Sequence, residues 1–373
     1  MVLFGHCWFN IGMPKLDDGI LLAATASSST GVDVFFVLSG FVLFLPYLGD
    51  GHGPTTRSFF VRRALRLLPL YWSLVAASGG LLVARVGPTL DAAGSIAAHL
   101  LFVHLPLAGL GWDVGLPGLG PAWTLSVEVA FYAALPFVAR PFARSPALWT
   151  VSAIAVTLAW RALALSTLEP GAANRGAGAL ATRLATQPPM FAAHFALGMA
   201  AAVIVTRMRS TQKPSLARGA AWVGTGALAV FVGLEQLAGR RALAGAGETV
   251  RFVDALPIAL SAAALIGGLA LSTGRLQRAL ASAPLVRLGA YSYTIYLVHF
   301  PLILALTRSG LVHPDGKAAT LALLTLLSLV GSIGVAHVVE HAIDAPLRRR
   351  LRPQTPYLST ALHPRREPSN AAI

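Results

Sequence analysis

Apolar residues fill this chain in long blocks, and most polar positions fall between them. The blocks cover residues 1–12, 31–48, 67–86, 121–139, 147–166, 189–207, 216–237, 252–272, 289–307 and 318–343. A helix needs about 20 apolar residues to cross ~30 Å of hydrocarbon, and most of the blocks approach that length. The first block is too short for a comfortable crossing. A further apolar piece, 94–106, is also short and reads as re-entrant or interfacial. The pattern predicts an all-α polytopic membrane protein of about ten transmembrane helices with one short re-entrant or interfacial segment.

The basic residues fix the direction of threading. With the loop after 31–48 in the cytoplasm and 94–106 turning back, 19 of the 29 basic residues fall on the inner side. Among them are Arg57, Arg62, Arg63, Arg66, Arg140, Arg144, Arg207 and Arg209, and the arginines after 346. Counting 94–106 as a crossing would reverse every later loop and spoil this bias. The positive-inside rule therefore favours ten spans in the inner (plasma) membrane, with both termini cytoplasmic. Residues 351–373, rich in Pro, Ser and Thr, read as a disordered cytoplasmic tail.

Composition agrees. The chain of 373 residues is 55% hydrophobic and 12% charged, with a mean hydropathy of +0.67, whereas soluble domains carry roughly 25% charge. The net charge of +14 would point to nucleic acid in a soluble protein; here the inner loops account for it, and no nucleic-acid partner is expected. The one cysteine, Cys7, has no internal disulfide partner. No positively charged segment precedes the first apolar block, so no cleavable signal peptide is expected.

An ionisable group at the centre of a membrane helix costs ~2.5–3.5 kcal/mol on insertion scales, so each one needs a reason. His6, in VLFGHCWF, is a candidate general base, or else a packing histidine bonded to a backbone carbonyl. In FFVRRALRLLPLYW, Arg62, Arg63 and Arg66 fall within about 100° of helical arc and Pro69 follows. Such a cluster suits phosphates through forked charge-assisted bonds, or serves as a positive anchor at lipid headgroups. In PAWTLSVEVAFYAALP, Thr124, Glu128, Phe131 and Tyr132 share a face. Glu128 sits about 10 Å inside the outer boundary and is either functional or paired to a neighbouring helix. In LGAYSYTIYLVHFPLI, Ser292, Tyr296 and His299 form one polar stripe, and Pro301 predicts a kink. That stripe either lines a cavity or joins helices. His337, Glu340 and His341 match a His-x-x-Glu-His zinc-peptidase signature. With no third ligand in view they read instead as a helix-end ion-pair cluster with Arg348 or Arg349, and no metal is expected.

Five segments in order, GVDVFFVLSGFVL, FFVRRALRLLPLYW, AWTLSVEVAFYAALP, LGAYSYTIYLVHFPL and EHAIDAPLRR, resemble the acyltransferase 3 family of integral membrane O-acyltransferases over residues 1–350. The resemblance implies about ten membrane helices. It also implies transfer of an acyl group, usually acetyl from acetyl-CoA, to a hydroxyl of a carbohydrate or glycosylated acceptor. Acyl-CoA is then a donor substrate, and no tightly bound cofactor is implied. His6 matches the family's first-helix histidine, Arg62, Arg63 and Arg66 its arginine motif, Glu128 the glutamate after Trp-Ser/Thr-Leu-Ser, and His299 the histidine of the Ser-Tyr helix. Ser126 belongs to the same Trp-Thr-Leu-Ser stretch, and Tyr296 to the Ser-Tyr helix. The family carries an arginine about ten residues before its first histidine, whereas this chain has five residues before His6, so an upstream start completing the first helix is expected.

The expected mechanism follows. The arginines meet the phosphates of acyl-CoA, and His6 takes the acceptor's proton. Ser39, Ser292 or His299 supply the oxyanion donors, and Glu128 orients a histidine or a sugar hydroxyl. A transporter or flippase for a lipid-linked or glycosylated molecule is the competing expectation, with buried Glu and His as proton-coupling groups.

Overall fold

The computed structural model describes residues 1–12, 30–49, 53–167, 183–210, 222, 225–226, 247–271 and 275–346. Within them the regular structure is helical, with no strand. In chain order the helices are α1 (Val2–Asn10), α2 (Thr30–Phe44), α3 (Thr56–Val86), α4 (Leu90–Leu100), α5 (His104–Gly109) and α6 (Trp123–Arg144). They continue with α7 (Pro146–Ser166), α8 (Ala192–Ser210), α9 (Gly247–Leu271), α10 (Arg275–Leu280), α11 (Ala283–Arg308) and α12 (Ala318–Val339).

Seven helical stretches among the described residues are long and apolar enough to cross a membrane. They are Thr30–Tyr47, Thr56–Val86, Gly120–Arg144, Pro146–Ser166, Pro188–Arg209, Ala283–Arg308 and Ala318–Ile343. Each matches a block read from the sequence. The block at 252–272 forms part of α9, whose apolar run Ala255–Leu271 is shorter. The block at 216–237 lies almost wholly outside the described residues. Residues 94–106 form no continuous helix. They belong to α4 and α5, which meet at Phe102, whose φ of +58° is left-handed. The Phe102 ring stacks on buried Tyr71 at 4.6 Å, which holds that turn against α3.

Local signals explain the helix ends. The Thr55 hydroxyl accepts the Ser58 N–H to open α3, and Gly87, with φ +81°, closes it. Thr89 caps α4 in the same way. Neither Pro69 nor Pro301 ends its helix: α3 and α11 run through them. The arginine segment is therefore part of one 31-residue helix rather than a piece set apart by Pro69.

Helix α8 lies at the centre of the bundle and α7 at its edge, since 72% of the apolar window is buried in the first and 17% in the second. α8 packs on α2, α9 and α7, while α11 packs on α12 and α1. The contact of α2 with α8 is close because glycines face backbone across it. A Cβ at Gly198 would overlap the Val37 carbonyl and stand 2.8 Å from the Phe41 nitrogen, and one at Gly40 would overlap the Phe195 carbonyl. Small residues are the usual means of bringing membrane helices together. The same seam carries a polar clasp, His194 Nε2 to Asp33 Oδ1 at 2.9 Å, with His194 fully buried.

Gly198→Ala should lower the thermal unfolding midpoint of the purified protein, at an overpacking cost of ~1–3 kcal/mol. Gly80→Ala, whose added Cβ meets nothing within 4 Å, should leave the midpoint unchanged or raise it. Equal midpoints for both variants would refute the close-packed seam.

Candidate active site

A cavity of about 370 Å³ opens between α1, α2, α3, α6 and α11. Along α2 it extends from Gly31 to Leu43, about 18 Å at 1.5 Å per residue. One end is basic. Arg63 and Arg66 line it beside Glu128 and Tyr132, and both guanidiniums lie within electrostatic reach of the carboxyl group. Arg63 is half-buried, with its guanidinium carbon 5.9 Å from the ring centres of both Phe59 and Tyr132, a cation–π arrangement. Its Nε–H is buried without a hydrogen-bond partner among the described residues. Arg62, exposed one residue earlier, is not part of the lining.

Glu128 is 7% exposed and accepts a hydrogen bond of 2.5 Å from the Tyr132 hydroxyl one turn on. The i+4 spacing read from the sequence makes this bond within one helix. Glu128 thus sits with the arginines; its hydrogen-bond partner is a tyrosine and not a histidine.

The other end of the cavity is walled by Tyr296 and Phe35, whose rings stack at 6.4 Å. Tyr296 is fixed: its hydroxyl lies 2.7 Å from the Thr124 hydroxyl and 2.9 Å from the Pro121 carbonyl. Behind it stands a histidine pair. His6 Nδ1 lies 2.8 Å from His299 Nε2, and the two rings are nearly parallel. His299 Nδ1 is 3.2 Å from the Ile295 carbonyl. A carbonyl only accepts, so in the neutral pair His299 Nδ1–H donates to it, and His299 Nε2 accepts from His6 Nδ1–H. That pattern leaves His6 Nε2 with the free lone pair. The Tyr296 and His299 rings are 5.6 Å apart, and Val2, one turn before His6 on the same face, lines the cavity. The His6 and His299 rings themselves lie just beyond its wall.

The remaining residues singled out from the sequence divide between this cavity and other places. Ser39 lines it and is buried, while Ser292 lines it with its hydroxyl donated to the Gly289 carbonyl. Ser126 points elsewhere, to His104, 3.2 Å from its Nε2. His337 is engaged by the Tyr291 hydroxyl at 3.0 Å, and His341 Nδ1 donates to the His337 carbonyl. Arg348 and Arg349, the expected partners of that cluster, lie outside the described residues, as does the tail. Two features had no sequence signal of their own. Asp33 and His194 are 161 residues apart, and His99 stacks face to face on His104 at 4.0 Å.

Comparison with known proteins bears on this geometry. The profile of a family described as an acyltransferase domain, Acyl_transf_3, matches residues 1–340. The chain is 28% identical over 367 residues to the acyltransferase MdmB of Streptomyces mycarofaciens, covering 92% of this chain and 87% of that one. It is 29% identical to the exopolysaccharide production protein ExoZ of Rhizobium meliloti (strain 1021), covering 87% and 90%. It is 30% identical over 179 residues to nodulation protein 10 of Rhizobium leguminosarum bv. viciae, covering 43% and 46%. No solved structure matches the chain.

Tyr132→Phe removes the only hydroxyl bonded to the Glu128 carboxyl among the described residues and should destabilise the protein by about 1–3 kcal/mol. The check is the thermal unfolding midpoint in detergent; an unchanged midpoint would mean that Glu128 does not depend on that bond.

Proposed function

Because the chain belongs to the acyltransferase 3 family and is an acyltransferase, we propose that the cavity receives an acyl-CoA and passes its acyl group to a hydroxyl of a carbohydrate or glycosylated acceptor. Acetyl-CoA is the simplest such donor. The observation that carries this reading is the pairing of a basic end, at Arg63 and Arg66, with an aromatic wall backed by the His6–His299 pair, across one mostly apolar cavity. Phosphate oxygens supply the acceptor that the buried Arg63 Nε–H lacks. A likeness to an exopolysaccharide production protein over most of both chains supports a carbohydrate acceptor. Placement is proposed as read from the sequence: ten crossings of the inner membrane, 94–106 re-entrant, and both termini cytoplasmic, so that the donor enters at the arginines.

The chemistry then runs as follows. His6 Nε2 takes the proton of the acceptor hydroxyl, and the freed oxygen attacks the thioester carbonyl. The new C–O bond forms, the C–S bond breaks, and the proton passes to the departing CoA sulfur, so nothing is oxidised or consumed besides donor and acceptor. His299, itself held by the Ile295 carbonyl, keeps His6 in the tautomer that presents Nε2 and steadies the imidazolium that forms. The Ser39 hydroxyl lines the cavity and stabilises the oxyanion; Ser292 joins it only by giving up its bond to the Gly289 carbonyl. Glu128 balances the charge of Arg63 and Arg66 within the apolar wall. Arg62, outside the lining, guides the donor from the surface.

His6→Ala should abolish acyl transfer while the protein still unfolds cooperatively; normal turnover in that variant would refute the base. Acetyl-CoA at about 100 times its dissociation constant should stabilise the purified protein by ~2.7 kcal/mol. ATP should give no such shift, and Arg63→Ala should lose it. No shift with acetyl-CoA or CoA would refute the donor assignment.

A further inference from the structure

The cavity has a second opening. Phe35, Leu38 and Val42 line it, yet they are 38%, 42% and 49% exposed. They follow one another at i, i+3 and i+7, a stripe about 10 Å long on one face of α2. Across from them, Gly289 and Ser292 of α11 line the cavity and are exposed as well. Helix α2 packs on α8, α9 and α6, while it meets α11 less extensively, among other places at the Phe35–Tyr296 ring stack. Among the described residues the cavity is therefore open at its side between α2 and α11. α2 lies within a stretch apolar enough to cross a membrane, and the α2 residues bordering this side are themselves apolar, as a face turned to hydrocarbon requires.

We infer that this side opening takes the hydrocarbon chain of the acyl donor, so that the site accepts acyl groups longer than acetyl. The inference rests on the acyl-CoA reading above. With the phosphates at Arg63 and Arg66 and the thioester near Tyr296, a two-carbon acyl group ends inside the cavity. A longer chain running straight on meets Tyr296, which is pinned by Thr124 and the Pro121 carbonyl. It does have an apolar way out past Leu38 and Val42 into the bilayer. A closed pocket would set an upper limit on chain length; an opening to lipid sets none, and each methylene leaving water on this path adds affinity.

The test compares CoA, acetyl-CoA and octanoyl-CoA for binding to the full chain in lipid nanodiscs, with empty nanodiscs and sodium octanoate as controls. Six added methylenes at about fourfold each, if fully buried, set the ceiling. The expected result is octanoyl-CoA binding at least ~10-fold tighter than acetyl-CoA, with no response to octanoate. Leu38→Trp narrows the opening and should bring the octanoyl-to-acetyl ratio close to one. Phe137→Trp, at an exposed position of α6 away from the cavity, should leave the ratio as it was. Equal binding of acetyl-CoA and octanoyl-CoA would overturn the inference while leaving the acyl-CoA reading intact, and the opening would then belong to a membrane-dissolved acceptor or to bilayer lipid. A tenfold preference untouched by Leu38→Trp would place the chain elsewhere and overturn it too. Failure of all three CoA ligands to bind would refute the acyl-CoA reading itself.

Discussion

A carboxylate, an imidazole or a hydroxyl surrounded by hydrocarbon has no water to bond to, so its partner must come from the protein itself. The polar interior of this bundle is organised by that requirement. Glu128 is met by Tyr132, Tyr296 by Thr124 and a carbonyl, His6 by His299, and Asp33 by His194. Three of these four bonds join different helices, so the same interactions that satisfy the polar groups also set how the helices stand against one another. Such bonds are individually modest, on the order of 0.6 kcal/mol where measured in membrane bundles, but each fixes one rotation of a helix.

Helix α2 shows how packing and site depend on each other. One of its faces carries Asp33, Val37 and Gly40 and is pressed against α8 at a distance that only glycine permits. With that face committed, Val32, Phe35 and Ser39 are turned to the cavity and Leu38 and Val42 to its open side. The tight seam and the open seam are thus two sides of one helix. The first gives the cavity a rigid wall; the second is the border through which the inferred longer acyl chain passes.

The arginine motif shows a similar division. Its three cations look alike in sequence, and a 100° arc admits all of them to one site. The helix continues through Pro69 without a break, and its rotation brings Arg63 and Arg66 to the cavity while Arg62 is left outside its lining. Arg63 is further distinguished by the Phe59 and Tyr132 rings beside it, which come from two helices.

The sequence by itself determined the helical class, the position of the seven described helices long and apolar enough to cross a membrane, the family, and the residue types available for chemistry. Hydrophobic length, helical spacing and ordered motifs are local properties, and a bilayer imposes them on the chain before any packing occurs. The bond from Tyr132 to Glu128 belongs to this group because both residues lie on one helix four positions apart. Tertiary structure alone decided that Glu128 stands with the arginines, that Ser126 turns to His104, and that His6 and His299, 293 residues apart, face each other. It also decided that residues 94–106 belong to two short helices meeting at Phe102, and that Asp33 clasps His194. These outcomes depend on how far each helix is rotated and how closely it approaches its neighbours. Helix rotation and approach come from side-chain volumes and polar partners contributed by distant parts of the chain, which no local pattern encodes.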